Sequence, residues 1–206
     1  RFQRQAGEHF QKHTYADIPT IARHRHWTGN QWNEADRARS DANGGGHAHA
    51  GAMIYLGGTW PEKYRNQLFM NNIHGNRVLY DVPSRNGSGY TAKHGGNFLM
   101  ADDPWFRSTV QITGPDGSVF VADWNDFGEC HDNDGSYRSS GRIYKVTHGT
   151  PKPLPDLNLA KLSDAELIKL LGHANEWHRR HAQRLLQERA VAGKLDQATV
   201  AALRKL

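Results

Sequence analysis

The sequence is poor in cysteine and in long apolar runs. Cys130 is the single cysteine among 206 residues, so the chain by itself forms neither an internal disulfide nor a thiolate zinc site. No stretch approaches the roughly 18 consecutive apolar residues of a membrane-spanning helix, and we expect no transmembrane segment. The Cys-x-x-Cys-His motif, which attaches haem covalently, is also missing. Disulfide scaffolds, membrane spans and covalent haem attachment are therefore excluded for this chain.

The sequence also lacks a start signal and a strong charge of one sign. It opens with Arg1-Phe2-Gln3-Arg4, which we interpret as the start of a processed or truncated chain without evidence on targeting. The 26 Lys and Arg residues exceed the 21 Asp and Glu residues by five. They are densest in residues 23–39 and 161–205, and the second region interleaves acids as a solvated helix face does. We therefore expect no nucleic-acid partner.

Glycine and tryptophan are abundant, with 21 and six residues, as is typical of turn-rich β architectures. Between residues 47 and 149, short apolar or alternating runs recur about every ten residues and predict about seven strands. Gly114-Pro115-Asp116-Gly117 lies between two of these runs and predicts a hairpin. Seven strands correspond to roughly two four-stranded propeller blades, whereas a closed propeller needs at least about four blades. We therefore expect a fragment whose missing blades belong to the same polypeptide.

Three other regions flank or follow these strands. Residues 1–46 lack periodicity and are interpreted as an irregular connection or insert. Residues 150–160 form a Pro-rich linker. In residues 161–206, Ser163 and Glu166 form a capping box and Asn175 caps a second helix, which predicts the start of a HEAT-like repeat, although an ordinary helical appendage fits equally well. The predicted fold class is mostly β with an α C-terminus: a partial β-propeller of roughly the last two blades, followed by a HEAT-like α-helical repeat.

Several strings of residues resemble one known family. The string from Gly45 to Tyr55 resembles a signature of the planctomycete-type multidomain membrane-bound dehydrogenase-like proteins, and the string from Trp60 to Gly75 resembles the blade after it. Residues 102–107, 114–117 and 121–124 are similar to the final blade of that family. Residues 179–186 resemble the second helix of a HEAT repeat.

The resemblance implies a function and a setting. It implies a sugar dehydrogenase-like propeller that uses pyrroloquinoline quinone (PQQ) and Ca²⁺ in the full-length protein. HEAT-like repeats and usually a c-type cytochrome module, which accepts the electrons, would follow, and the location would be periplasmic or at the cell envelope. The catalytic histidine and the Arg-Asn quinone motif of sugar dehydrogenases have no counterpart here. A propeller active site draws on loops from several blades, so we expect the isolated chain to be inactive. The alternative is a non-catalytic carbohydrate- or protein-binding propeller with a helical docking surface.

Three histidines are candidate catalytic residues. His47 and His49 are two residues apart at the entry to a strand, so their side chains share one face about 6.5–7 Å apart. Two neutral imidazoles in this arrangement can bind a metal, haem or quinone, act as base and orienter, or only hold neighbouring loops. His74 is the third candidate, with a turn histidine as the alternative.

Two further groups are candidate binding residues. Trp105 and Arg107 are predicted to bind the cofactor, because tryptophan stacks on rings and arginine pairs with carboxylates; core packing and pairing with Asp102 or Asp103 are the alternatives. Four carboxylates supply the oxygen ligands that Ca²⁺ needs, although their spacing is not that of an EF-hand and a solvated loop is the alternative. The predicted metal ligands are Asp123, Asp126, Asp132 and Asp134.

Overall fold

The computed structural model describes residues 49–73, 75–126, 139–154 and 156–206. The strands in these ranges are β1 (His49–Ile54), β2 (Leu68–Asn72), β3 (Arg77–Asn86), β4 (Gly89–Met100), β5 (Ser108–Thr113), β6 (Val119–Asp123) and β7 (Arg142–Val146). The helices are α1 (Asp164–Leu170), α2 (Glu176–Val191) and α3 (Gln197–Leu203), and 3-10 turns cover Glu62–Tyr64 and Leu159–Lys161. None of the helices in the described ranges has the length and apolarity needed to cross a bilayer.

The strands form two antiparallel sheets in which each strand pairs with its neighbour in sequence. Strands β1–β4 make a four-stranded sheet, and β5–β7 make a three-stranded sheet. The hairpin predicted at Gly114–Gly117 is confirmed and joins β5 to β6. Gly114 N–H donates to Ser118 O at 2.7 Å, and Gly117 has a φ of 78°, which an L side chain rarely adopts.

The predicted partial β-propeller followed by a HEAT-like repeat is wrong. The described residues form two small open sheets, of four and three strands, and three C-terminal helices. Strands β1 and β2 pack against β5, so the two sheets cover each other along this contact. Residue periodicity specifies strands and helices but not the arrangement of sheets, so strand spacing could not distinguish propeller blades from two open sheets. The expectation of missing blades rested on the propeller and falls with it.

An aromatic core joins the two sheets. Tyr55 and Trp60 stack with ring centroids 4.4 Å apart, and Trp60 meets Phe69 edge-on at 5.5 Å. The Tyr55 hydroxyl accepts a hydrogen bond from Trp60 N–H at 2.9 Å and donates one to Gly117 O at 2.8 Å. The same cluster contains Val78, Phe106, Val119 and Val121, which come from both sheets. The sheets therefore share one core, in which the buried hydroxyl of Tyr55 has its partners.

The three helices have a smaller core of their own around Leu167, Ala182 and Leu186. The predicted capping box is confirmed, because Ser163 Oγ accepts from Glu166 N–H while the Glu166 carboxylate accepts from Ser163 N–H. Asn175 caps α2, as expected, by accepting from Trp177 N–H at 2.9 Å. Residues 147–154, which precede the helices, have no regular secondary structure.

Antiparallel pairing gives the two sheets two different ends. At one end, the Gly114–Gly117 turn contacts α2, because Asn175 Nδ2 donates to Gly114 O and Pro115 O at 3.0 Å each. The other end collects the starts of β1, β3, β5 and β7 and the ends of β2, β4 and β6. We call it the polar end, and it comprises residues 49, 71–73, 75–77, 100–108, 123–126 and 139–142.

Candidate functional site

Buried polar side chains are concentrated at the polar end. A buried polar group is stable only where it has hydrogen-bond partners, so a concentration of such groups calls for a structural or functional reason. The buried polar residues there are Asn71, Asn72, Asn76, Arg77, Arg107, Ser108, Asp123 and Asp126.

Hydrogen bonds between the two sheets fix the geometry of this end. Asn76 Nδ2, in the turn between β2 and β3, donates to Phe106 O at 2.8 Å and to Pro104 O at 3.1 Å. A second hydrogen bond runs in the opposite direction, because Arg107 Nη1 donates to Ile73 O at 3.1 Å. The turn and the segment before β5 are therefore held together as one surface.

Arg142 links two carboxylates at this surface. Its Nε donates to Asp123 Oδ2 and its Nη1 to Asp103 Oδ2, both at 2.6 Å. The side chain of Asp123 is fully buried, and its Oδ1 also accepts from the backbone N–H groups of Arg107 at 2.7 Å and Asn125 at 3.0 Å. Ionised partners make these bonds stronger than neutral ones, so the three side chains form a rigid bridge.

The charges in this bridge determine the protonation of Asp103. Burial acts to raise the pKa of Asp103, but hydrogen bonds from Trp105 N–H and from Arg142, together with the positive charges of Arg142 and Arg107, outweigh it. The pKa of Asp103 therefore lies below its ordinary value, and the carboxylate is ionised at neutral pH. The guanidinium groups of Arg142 and Arg107 oppose the carboxylates of Asp103 and Asp123, and a third carboxylate, Asp126, lies beside them.

A shallow pocket of about 320 Å³ opens beside this bridge. It is lined by Asp103, Trp105, Asn125, Ser140 and Arg142. Asn125 Nδ2 donates to Ser140 Oγ at 2.7 Å, which connects the residues after β6 to those before β7. The Nη2 group of Arg142 is buried and has no hydrogen-bond partner among the described residues. The pocket therefore combines an aromatic ring, a carboxylate, an amide, a hydroxyl and a guanidinium group.

Four residues singled out from the sequence, Trp105, Arg107, Asp123 and Asp126, lie close together at the polar end, and one of them lines this pocket. Trp105 lines it, and Trp105 O accepts from Asp126 N–H at 3.0 Å. Arg107 is buried, and its backbone N–H donates a hydrogen bond to Asp123 Oδ1 at 2.7 Å. Asp126 Oδ2 accepts from Trp124 Nε1 at 3.3 Å. These predicted cofactor and metal ligands therefore lie together, although they came from two separate arguments.

Of the three predicted catalytic histidines, His49 alone lies in the described residues. His49 begins β1 opposite Asn72, at the polar end, and is half-buried. His47 and His74 lie outside the described residues, as do Asp132 and Asp134. The catalytic role of the three histidines therefore stays a prediction.

The sequence did not predict Arg142, Asn125 or Ser140 as residues of the site. Arg107 had been considered as a partner of Asp103, whereas Arg142 makes the hydrogen bonds to that carboxylate. Arg142 is 39 residues from Asp103 and 19 from Asp123, so no local pattern joins them. The available signal was the position of Arg142 at the start of a strand whose neighbour ends in Asp123.

Two of the four predicted metal ligands, Asp123 and Asp126, lie in the described part of the chain. No group of three or more His, Cys, Asp or Glu residues is arranged there to hold a metal ion. Both oxygens of Asp123 accept hydrogen bonds from the protein, and Asp126 accepts one from Trp124 Nε1. Because Asp132 and Asp134 lie outside the described residues, Ca²⁺ binding stays a prediction, and so does PQQ binding.

A second cleft, of about 440 Å³, lies at the opposite end of the sheets beside α2. Two of its polar residues serve the contact between helix and sheet: Asn175 Nδ2 donates to Gly114 O and Pro115 O, and His178 Nε2 donates to Pro115 O at 2.9 Å. His178 Nδ1 is buried and has no partner among the described residues. Burial lowers the pKa of His178, and the nearby His173 and His181 act in the same direction. We therefore interpret this cleft as part of the contact between α2 and the sheets, and we place the candidate functional site at the polar end.

The fold and the site define a two-sheet β module with a charged, aromatic-lined pocket at one end and helices at the other. Residues 3–150 match the model of the family described as a domain of unknown function, DUF7133, and the chain belongs to that family. No curated protein and no solved structure matches the chain. The matched range contains every residue of the polar end.

Proposed function

We propose that the polar end binds a neutral carbohydrate and that the module recognises it without transforming it. The observation that carries this proposal is a pocket in which Trp105 lies beside the carboxylate of Asp103 and the guanidinium of Arg142. Hydroxyl groups donate to a carboxylate and accept from a guanidinium, so the site favours an oxygen-rich ligand.

The composition of the pocket supports a sugar over other polar ligands. Trp105 offers a flat apolar ring on which the C–H face of a sugar can stack. The ionised carboxylate of Asp103 accepts from hydroxyl groups, and Arg142 donates to them. Asp103 lines the pocket and Asp123 and Asp126 lie nearby, so a neutral sugar fits better than an acidic one, which would meet these carboxylates.

Binding is measured by isothermal titration of the whole chain with neutral oligosaccharides, alongside acidic ones of equal length. Trp105→Ala should weaken binding about tenfold, which corresponds to the ~1.4 kcal/mol that a stacked aromatic ring contributes. Trp124→Ala is the matched control, since Trp124 is 61% exposed and does not line the pocket.

Two results would contradict the proposal. One is the absence of binding to every neutral glycan in a broad array. The other is an equal loss of affinity in the Trp105 and Trp124 variants, which would mean that any surface tryptophan suffices.

The dehydrogenase function stays a prediction. It requires PQQ, Ca²⁺, a haem module as electron acceptor and a location in the periplasm or cell envelope, and the described residues bear on none of these. Its test is reconstitution of the full-length protein with PQQ and Ca²⁺, followed by dye reduction over a panel of sugars and alcohols. Turnover in that assay would replace recognition by catalysis.

A further inference from the structure

The hairpin between β3 and β4 projects beyond the sheet to which it belongs. Strand β2 pairs with β3 only as far as Asp81, and among the described strands β3 and β4 pair only with each other from there to the turn. Residues 84–91 are all exposed. We call residues 82–94 the ribbon. A two-stranded ribbon is marginally stable in water, so we expect it to open more easily than the rest of the sheet.

The turn at the tip of the ribbon contains an Asn-Gly sequence. The strand pairing joins Asn86 to Gly89 and leaves Gly87 and Ser88 as the two residues of the turn. Asn86 is exposed, and Gly87 has a φ of 58° with no atom within 4 Å of its ideal Cβ. Neither a side chain of its own nor a packed neighbour on that side therefore shields the backbone nitrogen of Gly87.

We propose that Asn86 is a site of spontaneous modification, at which its side-chain amide is lost and aspartate or isoaspartate forms. The backbone nitrogen of Gly87 attacks Cγ of Asn86, and the new N–Cγ bond closes a five-membered succinimide ring. The Cγ–Nδ2 bond breaks, and the departing Nδ2 group takes up the proton that the Gly87 nitrogen loses and leaves as ammonia. Water then adds to one of the two ring carbonyl groups and opens the ring.

The ribbon controls the rate of this reaction. Ring closure requires rotation about the bonds between the Asn86 side chain and the Gly87 nitrogen, and the pairing of Asn86 with Gly89 restricts that rotation. The neighbouring cross-strand pair holds the turn closed: Arg85 Nη1 donates to the Tyr90 hydroxyl at 3.3 Å, and the guanidinium lies 5.6 Å from the centroid of the ring. The reaction therefore proceeds through opening of the ribbon tip.

The modification changes both the charge and the main chain of the tip. Residues 82–94 contain Arg85 and Lys93 but no Asp or Glu, so either product introduces the first carboxylate into this ribbon. Isoaspartate also adds a methylene group to the main chain, which disturbs the pairing of β3 with β4 beside the turn. This inference is independent of the carbohydrate proposal.

The test is incubation of the whole chain at mildly alkaline pH, followed by peptide mapping with mass spectrometry and enzymatic methylation of isoaspartate. We expect Asn86 to convert before Asn97 and Asn158, which are also exposed but precede bulky side chains. A synthetic peptide of residues 82–94 represents the open ribbon and should convert faster than the whole chain. Gly87→Ala places a methyl group beside the attacking nitrogen and should largely abolish the conversion.

A second variant tests the control by the ribbon. Tyr90→Ala removes the cross-strand pair and should raise the conversion rate of the whole chain about twofold to fivefold. Lys93→Ala is the matched control, because Lys93 is exposed on the same strand opposite Val82, away from the turn, and this change should leave the rate as it is.

Three results would overturn the proposal. One is an intact Asn86 in the whole chain after the peptide has fully converted. Another is conversion of Asn97 or Asn158 before Asn86. The third is an equal rate in Tyr90→Ala and wild type, which would mean that opening of the tip does not limit the reaction.

Discussion

Replacing Gly51 by alanine should separate two kinds of destabilisation at the contact between the sheets. Gly51 lies in β1 with a φ of 59°, in the left-handed region that L side chains rarely adopt. A Cβ at this position would also approach Thr109 O to 2.5 Å and Asn71 Nδ2 to 2.6 Å. The first of these is a backbone atom of β5, so it cannot move aside without shifting the strand.

The expected magnitude follows from these two costs. Holding a non-glycine residue in the left-handed region costs about 1–2 kcal/mol. Forcing an additional methyl group into a packed contact costs about 1–3 kcal/mol more. Gly51→Ala should therefore lower the free energy of unfolding by about 2–5 kcal/mol. Gly87→Ala is the matched control, because Gly87 has a φ of 58° and no atom within 4 Å of its ideal Cβ.

Urea unfolding of the whole chain, followed by tryptophan fluorescence, measures both variants, since Trp60 is buried in the shared core. The control should lose only the conformational part, about 1–2 kcal/mol, and the difference between the variants reports the contact between β1 and β5. Equal losses in the two variants would refute the close approach of the sheets at Gly51.

Three further predictions concern the two ends of the sheets. Asn175→Ala should lower the free energy of unfolding by about 2–3 kcal/mol in urea melts, because it removes the α2 cap and two bonds to the Gly114–Gly117 turn. Arg142→Met should cost about 3 kcal/mol in the same assay, since it leaves the buried carboxylate of Asp123 without its cation, and Arg142→Lys should restore only part of that loss. Melts across pH should show the free energy of unfolding falling below about pH 6.5, because the unfolded chain protonates His178 there while burial keeps the pKa of His178 lower in the folded chain. The free energy of unfolding should fall again below about pH 4, because the pKa of Asp103 is also lower in the folded chain than in the unfolded one. A profile that is flat between pH 7 and 5 in wild type, or unchanged in His178→Gln, would contradict the assignment to His178.

The sequence predicted the local elements because their causes are local. The hairpin at Gly114–Gly117 depends on a proline and a glycine within four residues, and the cap of α1 depends on Ser163 and Glu166 three residues apart. Asn175 was recognised as a cap by the same rule. None of these predictions requires knowledge of distant parts of the chain.

The arrangement of the sheets could not be read in this way. Strand spacing is the same for propeller blades and for two open sheets packed along β1 and β5, and the difference lies in contacts between residues far apart in sequence. Tyr55 and Gly117, whose hydrogen bond ties the sheets together, are 62 residues apart. Contacts over such distances in sequence leave no trace in the periodicity, so the sheet arrangement could not be predicted from it.

The candidate site shows the same division. Trp105, Arg107, Asp123 and Asp126 were found because their residue types suit binding, and they do lie together. Their predicted roles as cofactor and metal ligands depend on which groups they meet, and Arg142 is the group that occupies both Asp103 and Asp123. Arg142, which bonds to both carboxylates, could not be predicted from the spacing of residues in the sequence.

The position of the helices helps to decide where a function common to the family resides. The family match covers residues 3–150, which includes both sheets and the polar end, whereas α1 begins at Asp164. At the helix end, the carbonyl groups of Gly114 and Pro115 are taken up by Asn175 and His178, so that surface serves to attach the helices. Each end keeps a buried nitrogen without a partner among the described residues, His178 Nδ1 at the helix end and Arg142 Nη2 at the polar end, but only Arg142 lies within the matched range. A binding function shared by the family is therefore to be sought at the polar end, where the sheets retain an unsatisfied donor within the matched range.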